Sequence, residues 1–309
     1  MAHSHFEPGS HSHLSAAGVS AVRNSFIILF FTASLQLAIA VYSGSISLLA
    51  DTVHNYGDVV TSFPLWIAFR LAERPPSARF RYGYGRVEDL AGILVVLIIL
   101  ASAVVAGYLA IDRLLHPQEV THLWYLSIGA IIGFIGNESV AQLRMKAGRE
   151  MDSAALIADG LHARTDGWVS LAVLGGVIGT YFGFPLADPL IGIGITIAIL
   201  FIVWESGHTV FVRILDAIEP EIVTKLEVAS KEVEGVHTVT DVRARWFGHR
   251  LIAELSVGVQ GTLSVEQGHA IAKQVQKALF VAVPQLNSSV IHVDPESESG
   301  DSFHSHLPD

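Results

Sequence analysis

The stretch LAGILVVLIILASAVVAGYLAI, residues 90–111, contains no charged residue. A helix rises about 1.5 Å per residue and the hydrocarbon core of a bilayer is about 30 Å thick, so about 20 apolar residues are enough to cross it. The stretch therefore predicts a membrane-spanning helix.

The composition of the whole chain fits a membrane protein with a smaller soluble part. Of the 309 residues, 51% are hydrophobic and 16% are charged, whereas a soluble domain usually carries about 25% charged residues. The chain has no cysteine, which excludes disulfides and thiolate metal ligands. Its net charge of −10 argues against nucleic-acid binding, which requires basic surfaces.

Five other apolar stretches lie on either side of this segment. They cover roughly residues 22–42, 45–69, 123–143, 153–181 and 189–204. The second and fifth of the six spans are the least apolar because each contains ionisable residues, so a hydropathy window can miss them. We predict six transmembrane helices.

Basic residues are concentrated in two of the connections between the spans. They are Arg70, Arg74, Arg79, Arg81 and Arg86 in the 2–3 connection, and Arg144, Lys146 and Arg149 in the 4–5 connection. Short connections rich in Lys and Arg face the cytoplasm. Six spans then place both termini in the cytoplasm, and a plasma (inner) membrane is the expected location. The first residues, MAHSHFEPGSHSH, lack the basic and apolar regions of a cleaved signal peptide.

The pattern changes after the sixth span to that of a small α+β domain. It predicts a helix from Pro220 to Gly235, two strands around a turn at Gly248, a helix capped by Ser264, and a last strand over residues 288–295. The fold class is thus an α-helical membrane protein with a C-terminal αββαβ domain. The predicted divisions are a flexible N-terminus at 1–20, six helices at 21–208, the α+β domain at 209–295 and a disordered tail at 296–309.

The pattern A-D-x-x-H-x-x-x-D occurs in both of the less apolar spans. Residues three, four and seven apart lie on one face of a helix. The two polar stripes so formed are Asp51, His54 and Asp58 in span two, and Asp159, His162 and Asp166 in span five. Each H-x-x-x-D pair lies about 10 residues, or roughly 15 Å, from one end of its span, which is near the middle of the bilayer. Because the two spans run antiparallel, the two pairs can face each other at this depth.

Two imidazoles and two carboxylates form a four-coordinate site suited to Zn²⁺ or another first-row dication. The predicted ligands are His54, Asp58, His162 and Asp166. Without metal, two carboxylates at low dielectric favour uptake of protons, so metal and protons compete for the same site. The alternative is that these polar residues only bridge helices.

Three other acids, one each in spans two, four and five, have open roles. Asp51 and Asp159 lie one turn before each pair, where a helix-packing or proton-relay role is as plausible as ligation. Glu138 lies near the cytoplasmic end of span four, where it can pair with a nearby arginine. Ionisable residues inside a membrane are in general functional.

The sequence at this point resembles the cation diffusion facilitator family of divalent-metal/proton antiporters. The resemblance rests on six spans, the two H-x-x-x-D pairs, YGYGRVE at the start of span three, ILDAIEPE after span six, and a C-terminal domain ending in IHVDP. It implies a homodimer with metallochaperone-like cytoplasmic domains. It also implies alternating access, in which the site between spans two and five releases metal outside against inward-moving protons.

The resemblance implies a second, cytoplasmic metal site that is only partly kept. His269, His292 and Asp294 match the family pattern, whereas Ser256 and Thr240 stand at positions where relatives have ligands. The candidate substitutes are His237, His249 and Glu254.

The resemblance also implies a charge interlock between Arg86 and Asp216 at the membrane–cytoplasm boundary. The alternative is two solvated surface charges, worth about 0–1 kcal/mol.

Histidines cluster near both ends of the chain, at His3, His5, His11, His13, His304 and His306. Flexible His-rich ends can gather metal without forming a defined site, and incidental composition is the alternative.

The sequence distinguishes among three classes of function. The sequence favours a proton-coupled exporter of a divalent metal, with Zn²⁺ preferred and Co²⁺, Fe²⁺, Mn²⁺ and Cd²⁺ open. A non-transporting membrane metal sensor or assembly scaffold is the second hypothesis, although a scaffold has no need of four ligands at mid-membrane. No nucleophile–base set or phosphate loop is recognisable, so the chain is predicted not to be an enzyme.

Overall fold

A computed structural model describes residues 9–43, 46–116, 123–184 and 186–298. Within these ranges, the side chains of residues 9–17, 43, 46–51, 53–54, 57–58, 60–61, 180 and 188 lie outside the description. The chain divides into two units, Met1–Phe211 and Val212–Asp309.

The described part of the first unit consists of long helices in the predicted order. They are α1 (Gly9–Ser43), α2 (Ile46–Ala72), α3 (Arg86–Leu115), α4 (Leu123–Met151), α5 (Ala154–Tyr181) and α6 (Ala187–Ile214), the last of which ends in the second unit. By length and composition, four described segments can cross a membrane: Gly18–Tyr42, Arg86–Leu115, Leu123–Met151 and Pro189–Ile214. Among the residues whose side chains are described, which exclude much of α2, neither α2 nor α5 contributes such a segment, and α2 contributes the shorter apolar helix Ser62–Ala72.

Several helices extend beyond the apolar stretches that predicted them. Helix α1 begins at Gly9, inside the N-terminal segment predicted to be flexible, and α4 continues to Met151 instead of ending near residue 143. A helix that has already formed lengthens at little cost because each added residue contributes one hydrogen bond. The apolar pattern therefore marks the part of each helix that can cross a membrane and not its ends.

Small residues allow α4 and α5 to pack closely. A Cβ atom on Gly160 would lie 2.9 Å from the backbone nitrogen of Met145, and one on Gly148 would lie 2.9 Å from that of Ile157. Small residues at such crossings let the backbones of membrane helices approach each other. This contact places the motif of α5 directly beside α4.

The second unit has the predicted αββαβ order. Its elements are α7 (Pro220–Lys231), β1 (Thr238–Phe247), β2 (Arg250–Val259), α8 (Val265–Ala282) and β3 (Leu286–Pro295). The sheet order is β1-β2-β3, with β1 and β2 antiparallel and β2 and β3 parallel. The prediction of an α+β domain is confirmed.

Local signals in the sequence explain where these elements begin and turn. Gly248 joins β1 to β2 with a φ of 64°, a conformation that suits glycine. Ser264 accepts a hydrogen bond from the Gln267 backbone, and the Gln267 side chain accepts one from the Ser264 backbone, which completes a capping box at α8.

The core of this unit lies between the sheet and the two helices. Helix α7 packs against α8 and β1, and α8 packs against β3. The side chains that meet there include Leu226, Leu251, Leu255, Val275 and Leu279, which are almost completely buried. Burying each such side chain stabilises a fold by about 1.5–3 kcal/mol.

Candidate metal centre

The α5 half of the predicted membrane site is buried as a group. Asp159, His162 and Asp166 are all shielded inside the helical unit. His162 Nδ1 lies 3.6 Å from Asp166 Oδ2, so the imidazole and the carboxylate are close enough to bind one ion. This half of the site therefore presents one nitrogen and one carboxylate donor at the same place on the helix.

The α2 half is placed by its backbone only. Asp51, His54 and Asp58 lie within the continuous helix Ile46–Ala72, but their side chains lie outside the described part of the structure. That His54 and Asp58 face His162 and Asp166 therefore stays a prediction.

Buried polar groups connect α2 to its neighbours near these residues. The Asn55 amide donates a hydrogen bond of 2.5 Å to the side-chain oxygen of Gln36 in α1. Gln36 in turn donates to the backbone oxygen of Gly129 in α4 at 3.0 Å. Directional bonds thus hold α2 beside α1, and α1 beside α4, in addition to apolar packing.

A buried ion pair engages the first acid of the α5 motif. Asp159 Oδ2 lies 2.9 Å from an Arg144 nitrogen, with both side chains almost fully buried. Arg144 also donates a hydrogen bond of 2.7 Å to Ser62 Oγ in α2. Of the roles left open for Asp159, this arrangement favours helix packing, because its carboxylate already has a cationic partner.

The position of Arg144 corrects one reading of the sequence. The basic segment before α5 was interpreted as a cytoplasmic connection, but Arg144 is buried in α4, and only Asp152 and Ser153 join α4 to α5. Lys146 and Arg149 are exposed on the same helix. A single sequence shows the charge of a residue but not whether a partner on the next helix neutralises it.

Glu138 has the arginine partner that its position suggested. Two nitrogens of Arg164 in α5 donate to its two carboxylate oxygens, at 2.7 and 3.1 Å. Such bidentate pairs fix geometry as well as charge. Glu138 and Arg164 therefore form a second α4–α5 link, separate from the Arg144–Asp159 pair.

A third buried acid was missed in the sequence. Glu88, at the start of α3, accepts a hydrogen bond from Ser153 Oγ. Ser153 Oγ in turn accepts one of 3.2 Å from the Leu156 backbone in the first turn of α5. Glu88 thus ties the starts of α3 and α5 together. It is the last residue of the YGYGRVE motif, but the sequence alone indicated no partner for it.

The cytoplasmic candidates come together only in part. His292 Nε2 lies 2.7 Å from Asp294 Oδ1 on β3, while His269 is exposed on α8. The sheet register places Ser256 between Thr240 and His292. In the described residues of one chain, no three His, Asp or Glu side chains are arranged to hold a metal ion.

The three candidate substitutes have other surroundings. His237 Nδ1 lies 2.9 Å from Glu296, and Glu254 lies 3.8 Å from an Arg245 nitrogen. His249 is buried beside the β1–β2 turn. None of these contacts brings a third ligand to the His292–Asp294 pair.

The charge interlock predicted between Arg86 and Asp216 stays a prediction, because the two residues belong to different units. Arg86 lies 3.3 Å from Asp89 in the first unit. Asp216 lies 3.5 Å from Arg245 in the second unit.

The terminal histidines cannot be assessed from the structure. His3, His5, His304 and His306 lie outside the described residues, as do the side chains of His11 and His13.

Comparisons with known proteins point to one family. The family model described as "Cation efflux transmembrane domain" matches residues 22–215, and the one described as "Cation efflux protein, cytoplasmic domain" matches residues 218–296. A probable cation efflux system protein of Mycobacterium tuberculosis is 48% identical over 288 residues, which cover 93% of this chain and 86% of that protein.

Two further matches are more distant. The cation-efflux pump FieF of Klebsiella pneumoniae is 26% identical over 261 residues, which cover 83% of this chain and 85% of that protein. A solved structure titled "MamM-CTD 215-293" is 28% identical to this chain. The match covers 25% of this chain and 96% of the chain in that structure, with a TM-score of 0.24.

Proposed function

The chain belongs to the cation efflux family of divalent-metal transporters, and from this premise we propose that it exports Zn²⁺ in exchange for protons. The transport site is formed by the two H-x-x-x-D pairs of α2 and α5. The observation that carries the proposal is the buried His162–Asp166 pair, 3.6 Å apart, on a helix whose motif recurs in α2.

The charges of these groups support exchange. The carboxylates of Asp58 and Asp166 neutralise a bound dication, so the loaded site carries no large net charge. When metal leaves, two negative charges at low dielectric favour protonation of the site. Metal and protons then alternate on the same donors, which is the chemical requirement for antiport.

The proposal extends to the arrangement in the membrane. All six helices cross the bilayer, with α2 and α5 shielded by the more apolar helices, and both termini lie in the cytoplasm of a cell bounded by this plasma (inner) membrane. Residues 21–208 form the transport domain, which opens alternately to each side. Residues 209–295 form a cytoplasmic domain through which two copies of the chain associate, in keeping with the family to which it belongs.

Other functions have less support. A metal sensor or assembly scaffold would use the soluble domain, but it gives no reason for burying His162 and Asp166 in the helical unit. An exporter selective for Fe²⁺ or Mn²⁺ would use the same site, since His₂Asp₂ donors accept several first-row ions.

The proposal is tested by reconstituting the full chain in vesicles that contain a zinc-sensitive and a pH-sensitive dye. We expect Zn²⁺ uptake to be accompanied by proton movement in the opposite direction, and to be accelerated by an imposed proton gradient of the right sign. Zinc flux without any pH response would refute antiport while leaving export intact. Faster uptake of Fe²⁺ or Mn²⁺ than of Zn²⁺ would refute the choice of metal.

The cytoplasmic pair gives a separate prediction. In chains that carry Asp166→Ala, which removes the transport site, His292→Ala is expected to weaken the remaining Zn²⁺ binding about tenfold or more. The reason is that His292 and Asp294 supply the two closest donors on β3. Titration of the purified chain with Zn²⁺ measures this effect.

His237→Ala serves as the matched control, because His237 is paired with Glu296 instead. A larger loss of binding with His237→Ala than with His292→Ala would show that the β3 pair is not the centre of this site.

A further inference from the structure

Asn137, in the middle of α4, is a buried polar residue that the proposed ligand set does not use. Its side chain is 1% exposed. Within the part of the chain that the structure describes, neither its amide oxygen nor its amide nitrogen has a hydrogen-bond partner. Buried polar side chains are almost always partnered, so an exception in a native fold points to a function.

The packing of α4 on α5 shows where Asn137 lies. The two helices run in opposite directions because only Asp152 and Ser153 join them. Arg144 on α4 contacts Asp159 on α5. Seven residues make about two helical turns and return to the same face. Asn137 precedes Arg144 by that step and Asp166 follows Asp159 by the same step, so Asn137 lies opposite Asp166.

Contacts on either side of this level confirm the register. A Cβ atom on Gly133, one turn before Asn137, would lie 2.8 Å from Ser170 Oγ, one turn after Asp166. A Cβ atom on Gly167 would lie 3.6 Å from the Asn137 Cβ. The Asn137 side chain therefore packs against α5 at the residue that directly follows Asp166.

We propose that Asn137 supplies its amide oxygen to the transport site as a donor from a third helix. This inference rests on the proposed function of His162 and Asp166. An amide oxygen adds a ligand without adding charge, so the site remains neutral with a dication and two carboxylates. Its presence narrows the preference of the site for Zn²⁺, which is satisfied by four ligands, over ions such as Mn²⁺ that accept more ligands and prefer oxygen.

The test compares Asn137→Leu with Asn137→Asp in the purified full-length chain. Leucine has a similar size but no oxygen, so Asn137→Leu is expected to lower Mn²⁺ affinity at least tenfold and Zn²⁺ affinity by a smaller factor. Asn137→Asp keeps the oxygen and is expected to bind both ions at least as tightly as the wild-type chain. Titrations with each metal and the visible spectrum of bound Co²⁺, which reports its coordination, measure the effects.

A purely structural role predicts a lower melting temperature for Asn137→Leu in the metal-free chain. A metal donor predicts the opposite, because the unpartnered amide has no hydrogen bond to lose, so the melting temperature should stay the same or rise. Asn24→Leu, the same exchange on α1, is the control and is expected to leave metal binding unchanged. Equal weakening by Asn137→Leu and Asn137→Asp, or an unchanged Mn²⁺ affinity and Co²⁺ spectrum in Asn137→Leu, would overturn the inference.

The outcome can be separated from a failure of the proposed site. The comparison is made in chains that carry His292→Ala, so that binding at the β3 pair does not mask the transport site. If Asp166→Ala removes the remaining metal binding while Asn137→Leu leaves the Mn²⁺ affinity unchanged, the transport site stands and the role of Asn137 is refuted. If Asp166→Ala leaves that binding intact, the site itself is refuted, and with it the role of Asn137. Should Asn137→Leu fail to fold, Asn137→Asp still decides, because weaker binding than wild type contradicts an oxygen donor at this position.

Discussion

Zinc transport is expected to fall at least about 100-fold when Asp166 is replaced by alanine. Mutating a residue that only hydrogen-bonds to a metal ligand typically lowers metal affinity or activity by about 10–100-fold. Asp166 is proposed as a ligand itself, so its loss should have a larger effect. Its loss also leaves one carboxylate to balance a dication at low dielectric, which is unfavourable for the loaded site. Zinc uptake into vesicles that contain the purified chain measures the effect.

The companion substitution Asp58→Ala is expected to give a loss of the same size, because it removes the equivalent donor from α2. The double variant should be little worse than either single one, since the two carboxylates act on one ion and their effects do not add. Asp112→Ala is the matched control, because Asp112 is an exposed acid of α3 beside His116. Transport that survives either Asp166→Ala or Asp58→Ala would refute the site. Size-exclusion chromatography of each variant establishes that a loss of transport occurs in a folded chain.

The helices could be predicted from the sequence more completely than the contacts between them. Apolar stretches about 20 residues long indicate membrane helices by physics that is local to each stretch. The capping box at Ser264 and the turn at Gly248 are local in the same sense. Such features depend on neighbours along the chain, so one sequence is enough to recognise them.

The polar contacts between helices depend on register, which one sequence does not show. Glu138, Glu88 and Arg144 were visible as charged residues, yet their partners lie 26, 65 and 15 positions away in the chain. For Glu138 and Arg144, the partner that is reached depends on how α4 and α5 are offset, and that offset follows from the fit of small residues such as Gly148 and Gly160. The unpartnered amide of Asn137 could be recognised only after this offset was known.

The buried Arg144–Asp159 pair gives the second large prediction, which concerns stability. Arg144→Met is expected to destabilise the chain by about 3–5 kcal/mol, because it leaves the Asp159 carboxylate as a buried charge without a partner. It also removes the hydrogen bond to Ser62 in α2. For a unit of about 200 residues this corresponds to a fall in melting temperature of about 10 °C. Thermal unfolding of the purified chain measures it.

A double-mutant cycle separates the ion pair from the general cost of altering a buried residue. Asp159→Asn makes the acid neutral at nearly constant volume, so Arg144→Met combined with Asp159→Asn should be more stable than the sum of the two single effects by at least about 1 kcal/mol. Lys146→Met is the matched control on the exposed face of α4, where a substitution changes stability by no more than about 0.5 kcal/mol. A melting temperature of Arg144→Met within about 2 °C of the wild-type value, or additive effects in the cycle, would show that Asp159 does not depend on Arg144 for its charge balance. In that case its carboxylate would again be a candidate for ligation or proton relay beside His162.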